Sequence, residues 1–388
     1  MLAQLSLTDQ KELVMSWIVP RDWKNGQTRY TAAYRDRTGR VRSAGTFTSR
    51  RDAERAARRA EGKVEDGSWI DPTAGRITFR DYVENVWWPS RHLEVSTRAG
   101  YRSYLDKHFL PFFGQMAMAE ILPSTIQSWV TQATNDGLSP RSVVKYHVML
   151  HGVFKRAVRD RVIANSPCTD TELPKVIAKK RHIPTPEEFQ RLLECIPERF
   201  LPLVLTEIET GLRWGELIAL RPWHVDFLRR TITVEETIVE VSKKHSPTGE
   251  RYIVKSYPKD DEPRVLGVRP HLLDVLAAQI ERLNLGRDDL LFPSTETAGG
   301  KPLSRNTFRT RYWLPALAKA GLGVHMRMHD LRHAHASWLL AGGADLKTVM
   351  DRLGHSQIQT TQKYLHTLPE ADEQALAALT RIESRARR

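Results

Sequence analysis

Four short segments in the second half of the chain carry residue types suited to chemistry on an anionic group. They are Thr210-Gly211-Leu212-Arg213-Trp214-Gly215-Glu216-Leu217, Tyr257-Pro258-Lys259-Asp260-Asp261-Glu262-Pro263-Arg264, and His329-Asp330-Leu331-Arg332-His333-Ala334-His335-Ala336-Ser337. The fourth is Leu353-Gly354-His355, with Tyr364 nine residues further on. Arginine presents planar, paired donors to anionic oxygens, and histidine exchanges protons near neutral pH. A tyrosine hydroxyl is a nucleophile once a neighbour takes its proton. Taken singly, each segment has a plainer explanation. Arg213 can pair with Glu216 across one helical turn, Lys259 can be a loop lysine, and a lone tyrosine such as Tyr364 commonly ends in a core. The order and spacing of all four are far more specific than any one.

In that order they resemble the signature of the tyrosine site-specific recombinases, the phage-integrase family. That signature is an arginine in TGxRxxEL, a lysine on a β-hairpin, an HxLRH segment, then GH and a tyrosine shortly after. The resemblance covers residues 180–388. It implies an enzyme that cleaves and rejoins DNA through a covalent 3′-phosphotyrosine on Tyr364, integrating or excising a phage or other mobile element without ATP, cofactor or metal. Arg213 and Arg332 would hold the non-bridging phosphate oxygens and His355 would add a hydrogen bond. His329 would help move the nucleophile's proton, and Lys259 would protonate the departing 5′-oxygen. Glu216 and His333 would brace the site. A Xer-like chromosome or plasmid resolvase and a catalytically inactive DNA-binding relative are the alternatives. The chain departs from the family where a Ser or Thr usually follows the lysine, since Asp260, Asp261 and Glu262 stand there, and where Ala334 replaces a usual Thr or Ser. Lys255 lies four residues before Lys259, so either could be the catalytic lysine.

These residues need rigid elements behind them, and the pattern divides into three domains. Residues 1–70 read as strands followed by a helix. Arg29–Tyr34 alternates, Asp36-Arg37-Thr38-Gly39-Arg40 is a turn, Val41–Phe47 returns, and Ser49 caps a helix through Arg59. Nine arginines fall between Arg35 and Arg59 against three acids, so Arg35, Arg37, Arg40 and Arg42 are candidate phosphate contacts. Asp71–Gly75 reads as a linker. Residues 77–167 read as helices, with Ser96-Thr97 and Ser139 as starts and Val143, His147, Leu150, Val153 and Phe154 on one face. Arg102, Arg141 and Lys145 on its polar sides are candidate DNA contacts. Thr185-Pro186-Glu187-Glu188 opens the third domain with a capping box, and short strands are expected at 231–234 and 264–268. A last helix, Pro369–Glu383, presents Ala375, Leu376, Leu379 and Ile382 on one side, to pack on a neighbouring protomer or back on its own. The expected fold is multidomain and mainly α with small β. It comprises a small sheet-plus-helix N-terminal domain, an all-helical SAM-like core-binding domain and an α+β catalytic domain. By the resemblance, the first grips arm-type DNA and the other two clamp the core site. Four protomers would assemble on double-stranded DNA, with a host DNA-bending protein and an excisionase as further partners.

Composition agrees with a polyanion partner. Lys and Arg number 59 against 46 Asp and Glu, a net charge of +13. Cys168 and Cys195 form no CxxC pair, which suits a reducing compartment. The opening residues carry no basic-then-apolar leader, and no apolar run approaches the ~20 residues that span a bilayer. A bacterial cytoplasmic protein without membrane contact is therefore expected. One rival chemistry is a metal hydrolase built on His329, His333 and His335. No HExxH glutamate follows His329, and Arg332 set between His329 and His333 would repel a cation.

Overall fold

The computed structural model describes residues 15–23, 27–177, 182–256, 263–296, 299–322, 326–355 and 357–362. Lys259, Tyr364 and the expected tail helix 369–383 lie outside the described residues. The chain divides into two compact units, one holding residues up to His92 with Ser103–Val176, the other Leu93–Arg102 with everything from Ile177.

In the first unit, β1 (Ser16–Asp22), β2 (Thr28–Arg35) and β3 (Val41–Phe47) form an antiparallel sheet. The turn after β2 is fixed by Asp36, which is buried and accepts bonds from the Thr38 amide and hydroxyl and the Arg40 amide. Burial alone would raise its pKa, yet the bonds from Thr38 and Arg42 hold it down to about 2. Ser49 caps the next helix by accepting from the Asp52 amide. That helix runs Arg50–Glu65, past the expected end at Arg59, because its core stripe of Ala53 and Ala57 continues to Val64. Asp71–Gly75 is a packed segment rather than a loose tether. Asp71 accepts from Arg42, and a Cβ on Gly75 would lie 2.7 Å from the Ala119 side chain. The helical part that follows packs Phe79, Tyr82, Trp87, Phe109, Phe113 and Phe154 into a core, with Tyr82 donating to Asp160 at 2.8 Å. Its final helix, Pro140–Arg159, starts at Ser139 and buries Val143, His147, Leu150, Val153 and Phe154.

Within the second unit, helix Pro186–Leu193 opens with the reciprocal Thr185–Glu188 box. Strands β4 (Val225–Asp226), β5 (Thr231–Val234) and β8 (Arg264–Gly267) form one antiparallel sheet, in which Val234 lies opposite Arg264. A separate antiparallel pair is formed by β6 (Thr237–Glu240) and β7 (Tyr252–Lys255). Two helices make the spine. Leu201–Thr210 ends at Gly211 with φ 66°, and Met328–Ala341 crosses it so closely that a Cβ on Gly211 would lie 2.7 Å from the His335 ring. Only glycine satisfies both the left-handed backbone and that contact. Replacing Gly211 with alanine should therefore lower unfolding free energy by about 1–3 kcal/mol, as overpacking does. Denaturant unfolding that leaves the midpoint unchanged would show that the helices can separate without cost.

Candidate active site

The left-handed turn at Gly211 releases the chain from the spine helix and places Arg213 just ahead of a short helix, Trp214–Leu217. Glu216 folds back on it. The Arg213 amide donates to Glu216 Oε2 at 3.0 Å and Arg213 Nη1 to Oε1 at 3.0 Å. Glu216 is only 1% exposed, and on its other side Arg264 Nη2 donates to Oε2 at 2.5 Å. Burial would raise the carboxyl's pKa; Arg264, then Arg213, outweigh it and hold Glu216 below its ordinary range.

A second helix supplies the other half. Leu346–Leu353 ends at Gly354 with φ 61°, and its last carbonyls have no helical partner. Arginines from three different elements take them in succession. Arg264 Nε donates to the Arg352 carbonyl at 3.1 Å, Arg332 Nη2 to Leu353 at 2.6 Å, and Arg213 Nη2 to Gly354 at 2.9 Å. Arg332, itself 1% exposed, also donates from Nη1 to the Gly211 carbonyl at 2.6 Å. His355 follows immediately. Its Nδ1 shares a 2.8 Å hydrogen bond with the buried Thr361 hydroxyl on helix Ile358–Gln362. Burial, reinforced by Arg332 and Arg213, lowers its pKa to about 4.

His329 occupies the first turn of Met328–Ala341, a turn fixed by Asp330 accepting from the Arg327 amide and guanidinium. Burial, then His333 and Arg332, lower its pKa to about 3, so it is a neutral base at pH 7. Its ring meets His333 edge-on at 4.8 Å, and His333 stands 4.0 Å from Asp330. A cleft of about 450 Å³ is lined by Arg213, Trp214, Gly215, Ile238, Arg305 and His329. Glu207 is buried, and burial lifts its carboxyl well above the usual range, despite Arg305 and Arg332.

The structure thus gathers Arg213, Glu216, His329, Arg332, His333 and His355 in one unit. Lys255, the alternative lysine, ends β7 and pairs with Glu94. The third histidine of the metal rival is turned away, with His335 Nδ1 donating to the Ile208 carbonyl at 2.8 Å. Among the described residues no group of three potential ligands could hold a metal, and no helix is long and apolar enough to cross a membrane. Among the candidate DNA contacts, Arg37, Arg40, Arg141 and Lys145 are exposed, while Arg35 and Arg102 are half-buried. Lys145 also stands 5.3 Å from the Tyr104 ring centre. Arg42 is tied internally to Asp36 and Asp71, which makes it a brace of the sheet. Arg264 ends the segment 257–264, but nothing local to it announces Glu216 as its partner.

Comparison with known proteins matches residues 184–371 to the phage integrase family and residues 78–132 to the phage integrase N-terminal SAM-like domain. The chain belongs to the phage integrase family. As a member it is a site-specific recombinase, an enzyme that breaks and rejoins DNA. Among its relatives is the prophage phiRv2 integrase of Mycobacterium tuberculosis, 28% identical over 363 residues, covering 91% of this chain and 93% of that protein. In solved structures the fold is similar to the Tn1549 transposon integrase in complex with transposon right end DNA. That match has a TM-score of 0.63 at 18% identity and covers 79% of this chain and 100% of the other. It is similar also to a lambda integrase tetramer bound to a Holliday junction, with a TM-score of 0.55 at 20% identity, covering 89% and 94%.

The recombinase's neutral histidines give a pH prediction. His224, His329, His335 and His355 all have lowered pKa values in the fold, at about 4, 3, 4 and 4. An unfolded histidine titrates near 6.5. Below about pH 6.5 the unfolded chain therefore binds more protons than the folded one, and stability falls as pH drops toward about 4. Glu207 slopes the other way, because burial raises its carboxyl in the fold, but it is one group against four. The denaturation midpoint should decline steadily from about pH 6.5 to 4.5. A flat midpoint across that lower window would contradict the buried, neutral state of these rings.

Proposed function

We propose that this recombinase is a mobile-element integrase that cleaves DNA through a 3′-phosphotyrosine on Tyr364. The observation that carries this reading is the convergence of Arg213, Arg332 and His355 on the end of one helix, with neutral His329 on the adjoining cleft. Two guanidiniums can neutralise the charge that grows on the non-bridging oxygens as phosphorus becomes five-coordinate, and the neutral imidazole can hydrogen-bond to those oxygens. Loss of one such donor typically costs about 10²–10³ in rate. His329, held uncharged, can accept the Tyr364 proton as its oxygen attacks phosphorus. Lys259, or Lys255 in its place, would protonate the leaving 5′-oxygen. The phosphotyrosine bond conserves the energy of the broken linkage, so a 5′-hydroxyl can displace Tyr364 and reseal the strand without ATP. Tyr364 lies two residues beyond the helix Ile358–Gln362, whose Thr361 holds His355, which supports nucleophile and phosphate ligand acting as one piece.

Exposed Arg37 and Arg40 on the N-terminal turn suit an arm-type DNA contact, and the Mycobacterium tuberculosis relative is matched over 91% of this chain. That extent supports an integrase gripping arm and core sites rather than a Xer-like resolvase. Residues 1–70 would then serve the arm, 77–167 the core site, and 180–388 catalysis. Assembly as four protomers on DNA is supported by fold likeness to the lambda integrase tetramer. A host DNA-bending protein and an excisionase complete the expected partners.

A pool of nicked duplexes tiling the DNA on both sides of the gene, incubated with the full chain in excess EDTA, tests the reading. Wild type should form a denaturant-resistant adduct mapping to Tyr364. Tyr364→Phe should form none while binding the same duplex with unchanged affinity. An adduct that survives the substitution, or one that requires a metal, would overturn it.

A further inference from the structure

Glu216 is shared. Arg213 holds one side of its carboxylate, and Arg264, the first residue of β8, holds the other. The Arg264 side chain is largely buried, and its remaining reach is spent on the Arg352 carbonyl. Gly354 sits so close that a Cβ there would lie 3.0 Å from Arg264 Nη1. One arginine therefore touches the buried anion that orients Arg213 and the helix end that presents His355. It also begins the strand that follows, after Pro263, residues 257–262, the segment containing Lys259.

Removing it would have a specific consequence. A buried carboxylate loses much of its stabilisation when one of two cationic partners goes, so it draws the other closer. Glu216 would then neutralise Arg213 and hold it in the bracing position, away from a phosphate. The Arg352 carbonyl would lose its donor, and the turn carrying Gly354 and His355 would loosen.

We propose that Arg264 is a positioning residue for recombination, one that keeps the Arg213 guanidinium and the His355 turn aimed at the scissile phosphate through Glu216 and the Arg352 carbonyl. This rests on the reading of Arg213 as a phosphate ligand. It assigns Arg264 no contact with DNA.

The test compares two forms of the duplex that wild type cleaves in the tiled pool, one with the natural scissile phosphate and one with a methylphosphonate there. The methylphosphonate lacks a non-bridging negative charge, so it has less need of an arginine. Single-turnover cleavage by Arg264→Gln should fall on the order of 10²-fold on the phosphate but stay within about tenfold of wild type on the methylphosphonate, the pattern expected of Arg213→Ala. Arg264→Lys, which keeps a charge beside Glu216, should recover part of the loss. Any unfolded fraction cancels, because one preparation cleaves both duplexes. Equal losses on both duplexes by Arg264→Gln, with Arg213→Ala still discriminating, would make Arg264 merely structural and overturn the proposal alone. Undiminished cleavage of the phosphate by Arg264→Gln would overturn it equally. If Arg213→Ala itself fails to discriminate, or wild type cleaves no duplex, the phosphate-ligand reading falls and the proposal falls with it.

Discussion

A helix ends with carbonyl oxygens that have no partner further along the chain, and at the end of Leu346–Leu353 those of Arg352, Leu353 and the capping Gly354 are taken in succession by arginines from three other elements. The oxygens carry the negative end of the helix dipole, so cationic donors are favoured there. Arg264 comes from a strand, Arg213 from the start of a short helix, and Arg332 from the spine helix. Because each arginine has a second acceptor, on Glu216 or on the Gly211 carbonyl, the helix end cannot shift without disturbing all three elements. This arrangement positions His355 and, through Thr361, the short helix that precedes Tyr364.

So much positive charge in a partly closed site decides the protonation states around it. His329 and His355 are held neutral by burial first and by the neighbouring guanidiniums second. A phosphate entering the cleft offsets that positive charge, which eases proton uptake by the same rings when the reaction needs it. Burial raises the Glu207 carboxyl well above the usual range, whereas Glu216, equally buried, is held below it. The difference is contact. Glu216 has two guanidiniums within hydrogen-bonding distance, while Arg305 and Arg332 act on Glu207 only from further off.

Where partners lie close in sequence, the amino-acid pattern announced them. Arg213 with Glu216, the Thr185–Glu188 box, the Ser49 cap and the arginine and histidines of 329–335 are separated by a helical turn or two, and periodicity is informative over that span. Partners distant in sequence were not legible. Arg264 finds Glu216 48 residues away, and Arg42 finds Asp71 29 residues away, a pairing that braces the sheet. His335 has the spacing of a metal ligand, but helix crossing directs it to the Ile208 carbonyl. The hairpin of β6 and β7 went unread because its strands have four residues each, too short for alternation to stand out.

Hydrogen exchange of the full chain, comparing wild type with Glu216→Gln, tests most directly whether one buried carboxylate and one helix end hold the site together. The peptides that matter cover 210–217, 264–268 and 346–358. If the arginines couple these segments, all three should lose protection together, although Glu216 lies only in the first. Loss confined to 210–217, with 346–358 as protected as before, would contradict the account.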